Sequence, residues 1–207
     1  MAPPRRMLEL FAGTGSAGRW GRAHGYEVIS LDILRKAHAT HTCDVLDFEY
    51  TMYPSTYFQL LWASPPCTAY SAARSTGGPR PLEAADRIVQ RTLDIIEYFR
   101  PGLEVALLEN PGTGLLKSRP IMRDVSYTMV DYCMFSCPED TYLYRKRTSI
   151  FHVIGEPKPN HLCDGKCEGI LAHPMKNQHA GTFGGVRNCS LNKKHKVPQK
   201  LIEYLLA

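Results

Sequence analysis

The chain has 207 residues, of which 43% are apolar and 22% charged, and a formal net charge of +5. This balance predicts a folded domain and excludes an intrinsically disordered chain. No stretch reaches the roughly 18 consecutive apolar residues that a membrane-spanning helix needs.

The seven cysteines are an odd number with uneven spacing, which argues against a disulfide framework. They indicate a reducing compartment. Residues 1–6 lead directly into a strand-like segment, without the apolar region or cleavage site of a signal peptide. We therefore expect an intracellular protein, in the cytoplasm or the nucleus.

Positive charge is concentrated in the C-terminal part of the chain. Residues 145–200 carry 11 Lys or Arg and 3 Asp or Glu, whereas the rest of the chain carries 14 and 17. A basic segment on a mildly acidic body favours a polyanion-binding surface. A solvated basic surface without a partner is the alternative that charge alone leaves open.

Strand-like and helix-like segments alternate along the first 154 residues. Short apolar runs bounded by turn residues predict the strands, and apolar residues at helical spacing predict the helices. In chain order, we expect a strand at Arg6–Phe11, a helix at Ser16–His24, strands at Tyr26–Ile33, near Cys43–Val45 and at Tyr57–Ala63, a helix at Pro81–Arg100, a strand at Val105–Leu108, a helix and a strand within Met122–Cys133, and a strand at Thr148–Ile154. This alternation predicts an α/β fold with a mostly parallel sheet and helices on both faces.

The C-terminal third has a different composition. Residues 155–190 are rich in Gly, Pro, His, Cys and Lys and show little apolar periodicity. Val197–Leu206 resumes a helical pattern. We therefore divide the chain into a main α/β domain at 1–154, a small Cys/His-rich insertion at 155–190, and a helical segment at 191–207 that packs back on the main domain.

One cysteine stands just after a predicted buried strand. The apolar run Phe58–Ala63 is followed by Ser64-Pro65-Pro66-Cys67. Because proline has no backbone donor, the strand must end there and turn, at the edge where open α/β sheets bind ligands. The turn presents a thiol in a position that suits a nucleophile. A buried core cysteine is the alternative.

A glycine-rich turn follows the first strand. Gly13 and Gly15 allow the backbone to turn tightly and to approach a ligand closely. Gly18 completes the pattern of a dinucleotide site, which stays an open alternative. Asp32 ends the next strand, where a carboxylate can accept from ribose hydroxyls, and Asp44 is placed to accept from an adenine amino group. Each carboxylate also has an ordinary interpretation as a cap or a solvated loop residue.

Two further strand ends carry polar and charged side chains, Glu109-Asn110 and Arg145-Lys146-Arg147. The carboxyl ends of parallel strands meet at one edge of a sheet, so these groups can face the same crevice as the cysteine. Taken alone, the first pair is an ordinary strand end and the second group is ordinary surface charge.

In combination, these motifs resemble those of the cytosine-C5 DNA methyltransferases over most of residues 7–153. Phe11-x-Gly13-x-Gly15 is similar to the family's S-adenosylmethionine motif, Pro65-Pro66-Cys67-x3-Ser71 to its nucleophile loop, Glu109-Asn110 to its Glu-Asn motif, and Arg145-x-Arg147 to its paired-arginine motif. The order and spacing of the four carry the resemblance. Residues 132–148 and the small size are most similar to the compact phage and virus members.

The resemblance implies a Rossmann-like class I S-adenosylmethionine-dependent methyltransferase fold and methyl transfer to cytosine C5 in double-stranded DNA. It implies that Cys67 is the nucleophile, that Glu109 is the acid that orients the base, and that Arg145 and Arg147 are clamps. It assigns cofactor contacts to Phe11, Gly13, Gly15, Asp32, Ile33, Asp44, Val45 and Pro66, and substrate contacts to Ser64, Pro65, Ser71 and Asn110.

The expected chemistry explains why these residue types belong together. Cytosine C5 is a poor nucleophile, but a Cys67 thiolate that adds to C6 turns the ring into an enamine whose C5 can attack a sulfonium methyl group. Glu109 stabilises this adduct at ring N3, and the nearby guanidinium groups favour the thiolate. Because C5 is out of reach in a stacked duplex, the resemblance also implies base flipping.

The family's last motif is reduced here to Val197-Pro198, and the region for target recognition spans at most about residues 152–196. The resemblance therefore implies either low sequence specificity or a separate specificity partner.

The insertion contains metal-ligating side chains. Cys163, Cys167 and His173 are ligand types that zinc prefers, in a segment too poor in apolar residues to fold easily without help. Cys133 and Cys137 repeat the four-residue spacing, so a four-cysteine site is a second possibility. Reduced cysteines without a metal are the remaining interpretation.

Three other functions stay open at this point. The first is the same chemistry on RNA, which competition between the two nucleic acids would distinguish. The second is a catalytically silent nucleic-acid-binding module, against which the intact Cys67 and Glu109 argue. The third is an amino-methyltransferase, whose site has an aromatic residue where this chain has Cys67.

Overall fold

Seven strands form one mostly parallel sheet in the computed structural model, which describes residues 3–71, 78–137, 145–167 and 195–206. The strands are β1 (Arg6–Leu10), β2 (Glu27–Asp32), β3 (His41–Thr42), β4 (Leu60–Ala63), β5 (Val105–Pro111), β6 (Tyr127–Asp131) and β7 (Arg147–Ile154). Their order in the sheet is β3-β2-β1-β4-β5-β7-β6. Only β7 is antiparallel to its neighbours, β5 and β6.

Helices cover both faces of this sheet. They are α1 (Ser16–Ala23), α2 (Leu82–Phe99) and α3 (Gln199–Leu206). On one face, Leu8, Leu61 and Leu108 share a buried cluster with Val89 and Ile96 of α2. On the other face, the buried cluster contains Met7, Trp62, Leu107, Trp20 of α1, and Leu201 and Ile202 of α3. No helix in the described part of the chain has the length and apolar character that crossing a membrane requires.

The central strands are short continuous apolar runs because both of their faces are covered. All four residues of β4 are buried, as are Ala106, Leu107 and Leu108 of β5. This is the pattern of a parallel sheet between two helical layers. Within the parallel part, Ala63 at the end of β4 pairs with Leu10 on one side and Leu108 on the other. The polar residues that follow these strands therefore emerge at one edge.

Most predicted elements are present, with two local differences. The third strand lies at His41–Thr42, just before the predicted Cys43–Val45. Within Met122–Cys133 there is no helix followed by a strand. A 3-10 turn at Pro120–Met122 leads to β6, and a second 3-10 turn follows at Tyr132–Phe135.

The sheet order also distinguishes the two interpretations of the glycine turn, as part of a dinucleotide site or of a methyltransferase site. A dinucleotide-binding sheet has the order 3-2-1-4-5-6, all parallel. Here the antiparallel β7 lies between β5 and β6. The described architecture is that of the Rossmann-like class I methyltransferase fold.

The C-terminal segment contacts the beginning of α1. Val197 N donates to Ser16 Oγ (3.2 Å), and Gln199 Nε2 donates to the Ser16 carbonyl oxygen (2.9 Å). Ser16 directly follows the glycine turn, so this segment supports the turn from outside. Most of 155–190 and the first residues of 191–207 lie outside the described residues, and the proposed domain boundaries stay a prediction.

Gly18 has a packing role in this fold. It lies in α1 directly over Glu9 of β1, and a Cβ at position 18 would overlap the Glu9 carboxylate. That carboxylate is buried, which raises its pKa, although hydrogen bonds from the backbone N–H groups of Gly18 and Ala17 lower it in part. The absence of a side chain at Gly18 therefore allows α1 to approach β1 closely.

We expect Gly18→Ala to destabilise the protein by about 1–3 kcal/mol, the usual cost of overpacking. This reverses the gain of roughly 0.5–1 kcal/mol that Gly→Ala ordinarily gives inside a helix. Chemical denaturation measures the change. Gly78→Ala is the control, because a Cβ there meets no atom of the described residues within 4 Å. A Gly18→Ala protein as stable as the wild type would contradict this account of the helix–strand contact.

Candidate active site

Cys67 lies in a tight turn at the carboxyl edge of the sheet. Ser64 N donates to the Leu10 carbonyl oxygen (3.3 Å), which continues the sheet for one residue beyond β4. The Cys67 carbonyl oxygen then accepts from the backbone N–H groups of Tyr70 (3.0 Å) and Ser71 (2.9 Å). The two prolines end the strand, and this turn holds the half-buried cysteine at the strand end.

Asn110 holds this turn against the neighbouring strand. Its Nδ2 donates to the Pro65 carbonyl oxygen (3.1 Å) across the gap between β4 and β5. The Asn110 side chain is buried, and its Oδ1 has no hydrogen-bond partner within the described ranges. Ser64 Oγ accepts from Trp62 Nε1 (3.0 Å). Ser64, Pro65 and Asn110, predicted to contact the substrate, thus support the cysteine turn in this structure.

A second brace holds the residues after Cys67. Tyr70 Oη donates to Asp86 Oδ1 at the beginning of α2 (2.8 Å), and the Arg119 guanidinium forms an ion pair with the same carboxylate. Arg80 Nη1 donates to the carbonyl oxygens of Ala69 (3.1 Å) and Ser71 (2.7 Å). These bonds join the turn, α2 and the segment after β5. None of these supporting roles was predicted for Tyr70, Asp86 or Arg119.

Glu109, at the end of β5, faces a lysine and a tyrosine. Glu109 Oε1 accepts from Tyr132 Oη (3.1 Å) and lies 3.4 Å from Lys146 Nζ. The Lys146 ammonium also lies over the Tyr132 ring, 4.5 Å from its centroid. Glu109 is only 7% exposed, so the carboxyl group is held in place inside a partly dry site.

Cys67 is close enough to this pair for both charges to act on its thiol. Burial is the largest cause that raises the Cys67 pKa above its ordinary value, and the Glu109 charge raises it further. The Lys146 ammonium lowers the pKa, but not enough to reverse the shift. In the free protein the thiol therefore stays protonated at neutral pH, between two groups of opposite effect.

Lys146, rather than its neighbours, is the cation at Glu109. Arg145 Nε (3.1 Å) and Arg147 Nη2 (2.9 Å) contact Asp131 Oδ2, at the end of β6. Side chains alternate along extended backbone, so the two arginines share one side and Lys146 takes the other. This alternation in the Arg-Lys-Arg stretch predicts that Lys146 lies on the side opposite the two arginines, but it does not predict which side faces Glu109. The predicted role of the arginines as clamps on the base stays a prediction.

The glycine turn and Asp32 form the other half of the site. Gly13 and Gly15 have positive φ angles of 51° and 66°, which glycine adopts without strain. Asp32 Oδ2 accepts from Gly13 N (2.8 Å), and Asp32 Oδ1 accepts from Leu34 N (2.8 Å). The Asp32 carboxylate thus connects the glycine turn to the end of β2.

The other predicted cofactor residues occupy the same edge. Ile33 is 62% exposed although it is apolar. Asp44 Oδ1 accepts from Leu46 N (2.9 Å) and so caps the next turn, and Val45 is buried in the core. Phe11 adopts a positive φ of 60° at the entrance to the glycine turn. Pro66 is exposed beside Cys67.

Two of the predicted metal ligands lie together. The thiols of Cys163 and Cys167 approach each other on the loop after β7, and Cys133, from the turn after β6, joins them. The third predicted ligand, His173, lies outside the described residues. Cys133 was a member of the four-cysteine alternative only.

Comparison with known proteins identifies sequence relatives of this chain. No family model matches the chain. A probable DNA (cytosine-5)-methyltransferase of Frog virus 3 (isolate Goorha) is 27% identical over 222 residues, which cover 97% of this chain and 98% of the viral protein. The type II methyltransferase M.AplI of Arthrospira platensis is 27% identical over 125 residues, 58% of this chain and 35% of that protein.

Solved structures also align with the chain. The Dnmt2 methyltransferase of S. pombe has a TM-score of 0.44 and 15% identity, over 73% of this chain and 50% of that one. The methyltransferase EhMeth of Entamoeba histolytica has a TM-score of 0.47 and 13% identity, over 77% and 57%. The chain thus spans about half the length of these two solved proteins.

The sheet order, the glycine turn and the strand-end residues define a Rossmann-like class I methyltransferase. Over nearly its whole length the chain is similar to a viral DNA (cytosine-5)-methyltransferase, and this similarity supports the cytosine-C5 methyltransferase family.

The brace on the cysteine turn leads to a pH-dependent prediction. Burial alone would raise the pKa of Asp86, but hydrogen bonds from Arg119 and Tyr70 outweigh it and lower the pKa below its ordinary value. A lowered pKa means that Asp86 stabilises the fold fully above its unfolded pKa of about 3.9, and that this contribution is lost as the pH falls through the lower folded value.

We therefore expect Asp86→Asn to lower the melting temperature by a few degrees at pH 7, and the difference from wild type to narrow below about pH 4. Thermal unfolding across this pH range measures both effects. The control is Asp94→Asn, on an exposed part of the same helix. If the melting temperatures of Asp86→Asn and the wild type differ by the same amount at all pH values, the Asp86 charge does not hold the turn.

The opposite charges beside Cys67 lead to a second prediction. Glu109→Gln removes a charge that raises the Cys67 pKa, so alkylation of Cys67 by iodoacetamide at pH 8 becomes several-fold faster. Lys146→Gln removes the charge that lowers it, so alkylation becomes several-fold slower. Mass spectrometry of the Cys67 peptide gives the rates, and the exposed Glu104→Gln is the control. If the alkylation rate of Cys67 changed in the same direction in both variants, the opposite effects of Glu109 and Lys146 on the thiol would be refuted.

Proposed function

We propose that this protein transfers a methyl group from S-adenosylmethionine to C5 of a flipped cytosine in double-stranded DNA, through a covalent adduct with Cys67. One observation carries the proposal: at the carboxyl edge of the sheet, the charges of Glu109 and Lys146 both act on the Cys67 thiol, and the glycine turn follows the neighbouring strand β1. Similarity to the probable DNA (cytosine-5)-methyltransferase of Frog virus 3 over nearly the whole chain supports both this reaction class and DNA as the substrate.

The residues present at the glycine turn fit the methyl donor. Each oxygen of the Asp32 carboxylate accepts one backbone hydrogen bond, which leaves further acceptor capacity for ribose hydroxyls. The exposed side chains of Ile33 (62%) and Leu46 (42%) offer apolar surface for an adenine ring. Gly13 and Gly15 would admit the donor close to the backbone. When bound, S-adenosylmethionine supplies an electrophilic methyl group.

Cys67 begins the reaction in this proposal. The thiol loses its proton to solvent or to a nearby base, and its sulfur forms a bond to cytosine C6. The Lys146 ammonium stabilises the thiolate, and its lowering effect on the Cys67 pKa supports this role. Burial and Glu109 oppose ionisation in the free protein, so we infer that the thiolate forms mainly once a substrate has entered.

Glu109 acts on the cytosine ring. In this proposal the Glu109 carboxylate takes up a proton from solvent as the substrate enters. The protonated carboxyl group then donates a hydrogen bond or proton at N3, so that the electron density from addition at C6 moves to C5. C5 then takes the methyl group and loses its proton to a base, after which the Cys67–C6 bond breaks and the thiolate returns. Tyr132 and Lys146 both contact Glu109 Oε1, so they orient the carboxyl group for this contact.

We assign Arg145 and Arg147 a positioning role through Asp131. Their ion pairs fix the beginning of β7, and the intervening Lys146 is thereby directed to Glu109. Contact of these arginines with a phosphate or with the base stays part of the proposal for the bound state. The net positive segment 145–200 supports a polyanionic substrate.

Covalent trapping tests the proposal. Long duplex DNA that carries 5-fluorocytosine throughout presents every short target sequence, and fluorine at C5 prevents the final loss of a proton. With S-adenosylmethionine, we expect an adduct that survives denaturation. Cys67→Ser should abolish it, Glu109→Gln should slow its formation by about 10²–10⁴-fold, and Cys43→Ser should leave it intact.

Parallel reactions distinguish the alternatives. An adduct on 5-fluorocytosine RNA but not on DNA would support the RNA-directed function instead. Binding of DNA with no adduct on either nucleic acid, and with no methyl transfer, would overturn the proposal in favour of a silent binding module. An adduct that requires an added cell fraction would support a separate specificity partner.

A further inference from the structure

Three thiols from two separate segments converge away from the active-site cysteine. Cys133 belongs to the 3-10 turn after β6, and Cys163 and Cys167 belong to the loop after β7. Their sulfur atoms all lie within 4.8 Å of one another, and Cys133 and Cys163 are buried. In a tetrahedral zinc site with Zn–S bonds of about 2.3 Å, sulfur atoms lie roughly 3.8 Å apart. The cluster therefore needs little movement to enclose an ion.

The loop that carries two of these thiols has little apolar surface to hold it. Leu162 is 44% exposed, and Cys163 is the only residue of 155–167 that is buried. The part of the loop before Cys163 pairs with β6, because His161 N donates to the Met129 carbonyl oxygen (2.9 Å) and the His161 carbonyl oxygen accepts from Asp131 N (3.0 Å). At Cys163 itself the backbone N–H donates to Asp131 Oδ2 (2.9 Å). A structural metal supplies the stability that such a segment lacks.

The backbone around Cys163 also fits a metal-bound thiolate. Gly165 N donates to Cys163 Sγ (3.2 Å), which is possible because Gly165 adopts a φ of 95°. Lys166 N donates to Asp164 Oδ1 (2.9 Å) and closes the turn that returns the chain to Cys167. Backbone N–H groups directed at sulfur are the outer contacts that orient thiolate ligands and stabilise their charge.

We propose that Cys133, Cys163 and Cys167 bind a structural zinc ion that fastens the loop after β7 to the turn after β6. The three thiols lose their protons to solvent on binding and fill three of the four tetrahedral positions. This site adds Cys133, which is distant in the chain, to the predicted Cys163 and Cys167, whereas the predicted ligand His173 lies outside the described residues.

The proposed site is coupled to the candidate active site through Asp131. The same carboxylate accepts from Cys163 N and holds Arg145 and Arg147, which flank Lys146. Zinc would therefore position Lys146 indirectly. The zinc proposal does not depend on methyl transfer, and its test reads metal and thiols only.

The first test uses the wild-type full-length chain, reduced and freed of metal. Adding one equivalent of Zn²⁺ should protect Cys133, Cys163 and Cys167 from N-ethylmaleimide by at least about tenfold, while Cys43 and Cys67 react as before. Mass spectrometry of the individual peptides gives each rate. Equal reaction with and without zinc at the three positions would overturn the proposal, as would a disulfide among them under reducing conditions.

The second test measures metal content directly. Protein purified without chelators should hold one zinc per chain, and Cys133→Ser, Cys163→Ser and Cys167→Ser should each reduce this to background. Cys43→Ser is the matched control, since that half-buried cysteine lies outside the cluster. Substitution by Co²⁺ should give the absorption of tetrahedral thiolate coordination. A Cys163→Ser protein that retains as much zinc as Cys43→Ser would contradict the site.

Discussion

The buried Asp131 carboxylate is the contact on which the catalytic half of this structure depends. Its side chain is fully buried, which is tolerable only because charged and polar donors surround it. Arg145, Arg147 and the backbone N–H of Cys163 all donate to it. Three separate segments thereby meet at one carboxylate: the end of β6, the beginning of β7 and the loop that follows β7.

This constraint determines which cation reaches the reacting groups. Two arginines on one side of the extended backbone are taken up by Asp131, so Lys146 is directed to Glu109 on the other side. A lysine suits that position because its compact ammonium can lie over the Tyr132 ring and still contact the carboxylate. The Cys67 thiol is consequently subject to a carboxylate that opposes its ionisation and an ammonium that favours it.

Several side chains from neighbouring elements support the cysteine turn. Asn110 holds Pro65 from the neighbouring strand, and Tyr70 and Arg119 hold Asp86 on the far side of the turn. Such supports restrict the thiol to a small volume at the strand end. Under the proposed reaction, a thiol that must meet C6 of the base gains more from this restriction than from a lowered pKa in the free protein.

The sequence by itself determined the fold class and the edge of the sheet that carries the candidate site, and it predicted that Cys67, Glu109 and Asp32 lie at that edge. These follow from local signals: apolar runs, prolines and glycines that end strands, and the fact that parallel strands finish at one edge. Only the tertiary structure decided that Lys146 and not Arg145 or Arg147 meets Glu109, and that Cys133 joins Cys163 and Cys167. Those contacts depend on β7 running antiparallel between β5 and β6, a pairing of residues distant in the chain that no local pattern encodes.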